Sequence, residues 1–82
     1  MNMSTLETYN SIFAEIFQVK EEELNTDFNS DNVEKWDSVC QLSLVTNMED
    51  TFDVMLDPED IIGFKSYEIG KSILAKYDVE IS

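Results

Sequence analysis

The sequence predicts an all-α fold, a small four-helix bundle with three main helices, one short helix and a long first loop. Three stretches place apolar residues at three- and four-residue steps, the spacing of one helix face. Residues that favour helix starts precede these stretches. No segment sustains a period-two alternation of apolar and polar residues, and no Asn-Gly or Asp-Gly turn occurs. The pattern therefore disfavours a sheet.

The first helix is predicted over residues 5–18, with Ser4 or Thr5 as its N-cap. One face of this helix collects the apolar side chains Leu6, Tyr9, Phe13, Ile16 and Phe17. Residues 20–35 follow, rich in Glu, Asn and Asp and without periodicity, and they predict a long loop. A loop of this length needs anchors or a function. We expect its isolated apolar residues to pin it to the core, namely Leu24, Phe28 and Val33.

The second helix is predicted to start near Ser38. At about 100° per residue its apolar stripe consists of Leu44, Val45, Met48 and Phe52, with Leu42 at the edge. Val39 is out of phase with this stripe and points with the polar face. An exposed apolar side chain beside Ser38 is a small indication of a contact surface.

A short helix is predicted within residues 56–62, because Asp57 is a suitable cap and Pro58 suits the first helical position. Gly63 is expected to end it. Ser66 then opens the last helix, whose inner face is predicted to carry Ile69, Ile73 and Tyr77. Gly70 weakens that helix by up to about 1 kcal/mol relative to Ala, so we expect it to pack closely against a neighbour.

Size and charge limit the function. The 82 residues predict a single domain, residues 1–82, with little room for a self-contained catalytic pocket. Eighteen acidic residues face five lysines, for a net charge of −13. Such a charge repels phosphates, so nucleic-acid binding is disfavoured. It favours partners with basic surfaces, which long-range attraction would bring in.

The residues that enzymes commonly use are scarce. Histidine is absent, which excludes serine–histidine and cysteine–histidine catalysis, and no glycine-rich phosphate loop occurs. The lone Cys40 excludes an internal disulfide and fits a reducing cytoplasm. No transmembrane run, signal peptide or usual zinc site is visible. We therefore expect a cytoplasmic protein that is not an enzyme, has no catalytic residues and does not insert stably into membranes.

Asp27, Asn29 and Asp31 begin like a calcium-binding loop. The sixth position of that loop is Asn32 instead of Gly, however, and the twelfth is Ser38 instead of Glu. Because the bidentate ligand is missing, we expect no calcium site.

Ser38 admits two interpretations. It is a favoured N-cap, and Gln41 stands three residues later at the capping-box spacing. Alternatively, the free N–H groups and positive dipole of a helix start would suit a phosphate ester on this serine.

The sequence Asp37-Ser38-Val39, followed by an amphipathic helix that ends in MEDTFDV, resembles the acyl carrier protein family. The family motif is Asp-Ser-Leu, so Val39 is a mild departure, and Lys35 and Trp36 precede Asp37 where the family often has Gly two residues before the Asp. The order of helices, the buried aromatic residue in the long loop and the acidity also agree. The resemblance covers nearly the whole chain.

The resemblance implies that Ser38 carries phosphopantetheine, which a phosphopantetheinyl transferase attaches from coenzyme A, and that Asp37 belongs to the attachment motif. Acyl or aminoacyl groups would ride on the arm as thioesters, in fatty-acid, polyketide or a specialised biosynthesis. It further implies a monomer that docks on basic surfaces of acyl-transferring or acyl-activating enzymes. The implied docking residues are Val39, Thr46, Glu49, Asp50 and Asp53. The alternative is an unmodified acidic helical adaptor.

Overall fold

Four α-helices make up most of the chain in the computed structural model, which describes residues 4–81. A 3-10 helix, Glu21–Glu23, follows the first of them. Between residues 4 and 81 there is no strand, only an isolated antiparallel bridge between Asn29 and Ser66. The all-α prediction is confirmed for this range, whereas residues 1–3 and 82 of the predicted domain lie outside it. The helices are α1 (Thr5–Phe17), α2 (Ser38–Phe52), α3 (Pro58–Gly63) and α4 (Tyr67–Ala75).

Helix α1 begins as predicted at the Ser4 cap, whose hydroxyl accepts a hydrogen bond from the Glu7 N–H at 3.1 Å. It ends one residue earlier than predicted, because Gln18 adopts a left-handed conformation with φ 55°. Its buried face also differs from the predicted stripe. Leu6 and Ile16 are only half-buried, and Ile12 is buried instead.

The long loop is anchored as predicted. Phe28 is buried, and Leu24 and Val33 are partly buried against the core. Two backbone hydrogen bonds tie the loop to the first residue of α4 and the segment before it. The Ser30 N–H donates to the Lys65 carbonyl at 2.8 Å, and the Tyr67 N–H donates to the Phe28 carbonyl at 2.9 Å. The loop is therefore held against the start of α4.

Helix α2 buries Leu44, Val45 and Met48 as predicted, and Phe52 is partly buried. Val39 is 75% exposed, which agrees with its predicted position off the stripe. Leu42 is 59% exposed, so it belongs to the outer surface and not to the core side.

Helix α3 has Pro58 at its first position, as predicted, and it includes Gly63 as its last residue. Helix α4 begins at the Ser66 cap, whose hydroxyl accepts from the Ile69 N–H at 2.8 Å. The predicted inner stripe of α4 is wrong in two places. Ile69 is 47% exposed, and Tyr77 lies beyond the end of the helix. The buried face consists of Tyr67, Gly70, Ile73 and Leu74.

Aromatic side chains dominate the buried cluster that the described residues form. The Phe13 ring is at its centre, with six neighbouring ring centroids between 5.0 and 6.4 Å away. Pairs of this kind contribute about 0.5–1.5 kcal/mol each beyond the burial of their area. Trp36 belongs to this cluster and directly precedes the Asp37-Ser38 pair, so the core fixes the position of that pair. The neighbours of Phe13 are Tyr9, Phe17, Phe28, Trp36, Phe64 and Tyr67.

Candidate functional site

The start of α2 places the Ser38 side chain on the surface. Asp37 is the N-cap residue, with extended backbone, and its Oδ1 accepts a hydrogen bond from the Cys40 N–H at 2.8 Å. Ser38 is therefore the first residue inside the helix, and its side chain is exposed. Because the carboxylate of Asp37 satisfies the helix start, the Ser38 hydroxyl takes no part in the cap.

The interpretation of Ser38 as the cap, with Gln41 as its capping-box partner, is thus wrong. Aspartate and serine are comparably good caps. A carboxylate additionally gains from the positive end of the helix dipole and from a charge-assisted hydrogen bond. The backbone of Asp37 is extended, as a cap requires, whereas Ser38 is already helical.

Gln41 instead connects two helices. Its side-chain Nε2 donates to the carbonyl oxygens of Ile61 at 2.8 Å and Ile62 at 3.1 Å. These acceptors belong to the last turn of α3, where helix carbonyls lack helical partners. Gln41 therefore holds the end of α3 against the first turn of α2. No local sequence pattern indicated this contact, because the two acceptors lie twenty and twenty-one residues after Gln41.

An open cavity of about 530 Å³ lies beside Ser38, between the start of α2 and the last turn of α3. This volume is within the range of small-molecule sites. Apolar side chains of α3 and α2 form part of its wall, and the loop and the segment before α4 contribute polar groups. The lining residues are Ser30, Trp36, Asp37, Ser38, Gln41, Leu42, Ile61, Ile62 and Lys65.

Trp36 is the most deeply buried of the cavity's aromatic and polar side chains. It is 6% exposed, and its ring packs at 5.0 Å from the Phe17 ring. The indole Nε1 is shielded from solvent and has no hydrogen-bond partner among residues 4–81. A buried donor without a partner costs about 1–3 kcal/mol, so this group is unusual in a folded domain. The sequence indicated Trp36 only as the neighbour of Asp37.

Four of the five predicted docking residues share one exposed line on α2. Val39, Thr46 and Asp50 lie at steps of seven and four residues, which returns them to one side of the helix. Asp53, the left-handed C-cap with φ 54°, continues this line. All four side chains are exposed. Leu42 lies next to this line and adds apolar surface between Val39 and Thr46.

Glu49 is placed differently from the other four. It is half-buried, and its Oε2 accepts a hydrogen bond from the Leu56 N–H at 2.9 Å. Its carboxylate thereby ties the end of α2 to the segment that leads into α3. One of its oxygens has a structural partner, which the sequence pattern did not indicate.

A buried carboxylate fixes the other side of α3. Asp60 is 6% exposed, and Lys76 Nζ donates to its Oδ1 at 2.6 Å. The Tyr77 hydroxyl donates to Oδ2, and the same hydroxyl accepts from the Asp57 N–H at 3.0 Å. The hydrogen bonds from Lys76 and Tyr77 lower the pKa of Asp60. The hydrogen bond to Asp60 in turn raises the pKa of Lys76 and that of Tyr77.

The stretch that begins like a calcium-binding loop forms turns. Asn29 Oδ1 accepts from the Asp31 N–H at 2.9 Å and from the Asn32 N–H at 3.0 Å. No group of three or more potential metal ligands comes together in the part of the chain that the structure describes.

Within residues 4–81, no helix has the length and apolar character needed to cross a bilayer. Cys40, the lone cysteine, is half-buried on the first turn of α2.

Comparison of the chain with models of known protein families and with curated proteins gave no match. The functional argument therefore depends on the residues of the site.

Proposed function

We propose that the protein is an acyl carrier, in which Ser38 anchors a phosphopantetheine arm that bears acyl or aminoacyl groups as thioesters. The observation that carries the proposal is the state of the Ser38 hydroxyl. The Ser38 side chain is exposed at the first position of α2 and lies beside a cavity. Its hydroxyl takes no part in capping the helix, because Asp37 is the N-cap. The four helices and the long first loop are consistent with an acyl-carrier-like bundle.

The residues present fit such a group. An exposed serine hydroxyl can attack the pyrophosphate of coenzyme A on the surface of a second enzyme. The Ser38 Oγ–phosphorus bond forms, the phosphorus–oxygen bond to the adenosine bisphosphate breaks, and the serine proton passes to a base of that enzyme. Asp37 holds the helix start, so the hydroxyl is presented in one orientation. When bound, the arm supplies a thiol that carries the acyl group.

The surface around Ser38 supports docking by basic partner enzymes. Val39 and Leu42 provide exposed apolar contacts, and Asp50 and Asp53 provide charge farther along α2. With a net charge of −13, the protein attracts basic surfaces over long distances. Attraction of this type speeds encounter more than it tightens the complex, which suits a monomeric cytoplasmic shuttle.

Intact-mass measurement tests the proposal. The purified protein is incubated with coenzyme A, Mg²⁺ and a broad-specificity phosphopantetheinyl transferase. We expect the mass to increase by one phosphopantetheinyl group, and we expect Ser38→Ala to abolish the increase. Ser43→Ala is the matched control, because Ser43 is also an exposed serine of α2 and its variant should be modified normally.

An unchanged mass with several transferases would overturn the carrier proposal. The net charge of −13 would then favour the second candidate, an acidic helical adaptor that works without modification. That candidate predicts that Ser38→Ala leaves every interaction of the protein intact.

A further inference from the structure

Trp36 offers a hydrogen-bond donor that the fold does not use. Its indole Nε1 is shielded from solvent and unpaired among residues 4–81, while Trp36 itself forms part of the wall of the cavity beside Ser38. Native proteins pair nearly all buried polar groups, so an unpaired one calls for a partner beyond those that residues 4–81 supply. The partner must be a hydrogen-bond acceptor, since an indole N–H only donates.

Lys65 provides a positive charge in the same cavity. Its backbone is fixed, because its carbonyl accepts from the Ser30 N–H and its N–H donates to the Gly63 carbonyl at 2.8 Å. The ion pairs found within residues 4–81 use Lys71 and Lys76, and Lys65 belongs to neither. The wall also contains the carboxylate of Asp37, whose Oδ1 is engaged by the Cys40 N–H, so Lys65 is the charged group of the wall that can pair with an anion.

The cavity thus combines a cation and a buried neutral donor with apolar contacts from Leu42, Ile61 and Ile62. A ligand that fits has a negative charge, a carbonyl oxygen and an aliphatic part. We propose that this ligand is the phosphopantetheine arm on Ser38 itself, folded into the cavity. Lys65 then pairs with the phosphate, and Trp36 donates its indole N–H to an amide carbonyl of the arm. The inference rests on the proposed function and adds the residues that hold the arm.

Nε1 is closed to water, so the arm reaches it only when the cavity wall moves. The wall on the α3 side is a helix of only six residues, and its separation from α2 requires the two Gln41 hydrogen bonds to break. In a water-poor site, a hydrogen bond to Nε1 is stronger than the same bond in solvent. The arm would therefore alternate between a docked and an extended state.

The single tryptophan of the chain makes the test direct, because a ¹⁵N-labelled sample gives one indole N–H signal. Spectra are recorded before and after modification, and the modification itself is verified by intact mass. We expect the signal to move downfield. We also expect its hydrogen exchange to slow by about fivefold, the effect of one neutral hydrogen bond.

The two possible failures are distinguishable. If the mass does not increase, the carrier function is wrong. If the mass increases and the exchange of the indole N–H is unchanged, the carrier function stands and the docking of the arm on Trp36 is wrong. This comparison needs no variant of Trp36, so it does not depend on the folding of one.

Variants separate the two contacts. Trp36→Phe keeps an aromatic ring and removes the donor. With coenzyme A labelled by ¹³C at its amide carbonyls, we expect one arm carbonyl signal to return to its position in free pantetheine in this variant. Equal carbonyl shifts in the wild type and Trp36→Phe would contradict the proposed hydrogen bond.

For the phosphate, we expect Lys65→Gln to move the ³¹P signal of the modified protein toward that of a free phosphodiester. Lys20→Gln removes another exposed lysine, one that does not line the cavity, so it should leave the signal unchanged. Equal ³¹P spectra for wild type and Lys65→Gln would overturn the role of Lys65.

Discussion

The hydroxyl of Tyr9 occupies the space in which a side chain at Gly70 would stand. Tyr9, on α1, donates this hydroxyl to the Tyr67 carbonyl at 2.6 Å. A Cβ atom added at Gly70 would lie 2.2 Å from the Tyr9 oxygen and 2.5 Å from the Phe64 ring. The absence of a side chain at Gly70 therefore leaves room on α4 for the Tyr9 hydroxyl and the Phe64 ring. Burial, with smaller effects from Tyr67 and Glu68, raises the pKa of Tyr9, so the hydroxyl remains protonated as a donor.

Gly70→Ala should lower the free energy of unfolding by about 1–3 kcal/mol, the usual cost of overpacking a core. Helix propensity alone predicts the opposite, a gain of about 1 kcal/mol. The clash should prevail because Tyr9 and Phe64 are both fully buried and have little freedom to shift. Urea denaturation with a constant m-value is the measurement.

Gly63→Ala is the control for Gly70→Ala, since no atom lies within 4 Å of a Cβ added there. It should be neutral or slightly stabilising. Adding Tyr9→Phe to Gly70→Ala should restore part of the loss, because it removes the nearest clashing atom and leaves the Phe64 contact. A stabilised Gly70→Ala variant would contradict this prediction and would show that Tyr9 and Phe64 can shift to make room for the added Cβ.

Asp37→Ala should lower the free energy of unfolding by about 1 kcal/mol, because the Cys40 N–H loses its cap. Asp37→Asn should cost less, since asparagine caps helices about as well. Ser38→Ala should cost less than about 0.5 kcal/mol, as expected for a surface position without a structural role. Chemical denaturation of the three variants decides between the caps. A loss in Ser38→Ala equal to that in Asp37→Ala would contradict the assignment of Asp37.

The sequence was sufficient for features that depend on local residues. The starts of α1 and α4 follow from the capping preferences of Ser4 and Ser66, and the start of α3 follows from Pro58 at its first position. The burial of Phe28 follows from its isolation in a polar loop. The choice between Asp37 and Ser38 as cap was not predictable, because both residues cap well and the backbone conformation decides.

Long-range contacts could not be predicted from the sequence pattern either. The face of α4 is set by the fit of Gly70 against Tyr9 and Phe64, so Ile69 turns outward despite its helical spacing from Ile73. The same reason applies to the candidate site. The exposed Ser38 was identified from its motif, whereas the cavity beside it depends on α3, which is twenty residues farther along the chain.

Asp60→Asn should lower the free energy of unfolding at neutral pH. It should also remove the part of the stability that the wild type loses on acidification through Asp60. The folded-state pKa of Asp60 is lowered by Lys76 and Tyr77. Its stabilising contribution is therefore complete above the unfolded-state pKa, about 3.9, and is lost as the pH falls through the folded-state pKa. Above pH 4, protonating other carboxylates stabilises the fold, because it relieves the repulsion within a chain of charge −13.

The difference between wild type and Asp60→Asn isolates the contribution of Asp60. Measured by urea denaturation, this difference should be constant from pH 7 to about 5 and should shrink below about pH 4. Asp57→Asn is the control, because Asp57 is an exposed carboxylate at the start of the same helix and its side chain makes no capping bond. A difference that persists unchanged at the lowest pH would contradict the role of the Asp60 charge.

Asp50→Lys should slow modification by the transferase and leave the fold intact. Asp50 is exposed on the same line of α2 as Val39, so its charge faces a partner that approaches Ser38. One surface ion pair contributes about 0–1 kcal/mol, which limits the effect to about fivefold at low salt. The effect should decrease at high salt because of screening. Intact-mass time courses give the rate, and circular dichroism verifies the fold.

Glu15→Lys is the matched control for Asp50→Lys, since it makes the same charge change at an exposed position of α1. Equal slowing in both variants would assign the effect to net charge and contradict a docking face on α2. Glu49→Lys is less informative, because it also removes the acceptor of the Leu56 N–H. Glu49→Gln keeps an acceptor oxygen and removes the charge. If it slows modification without lowering stability, Glu49 also acts in docking through the oxygen that the Leu56 bond leaves free.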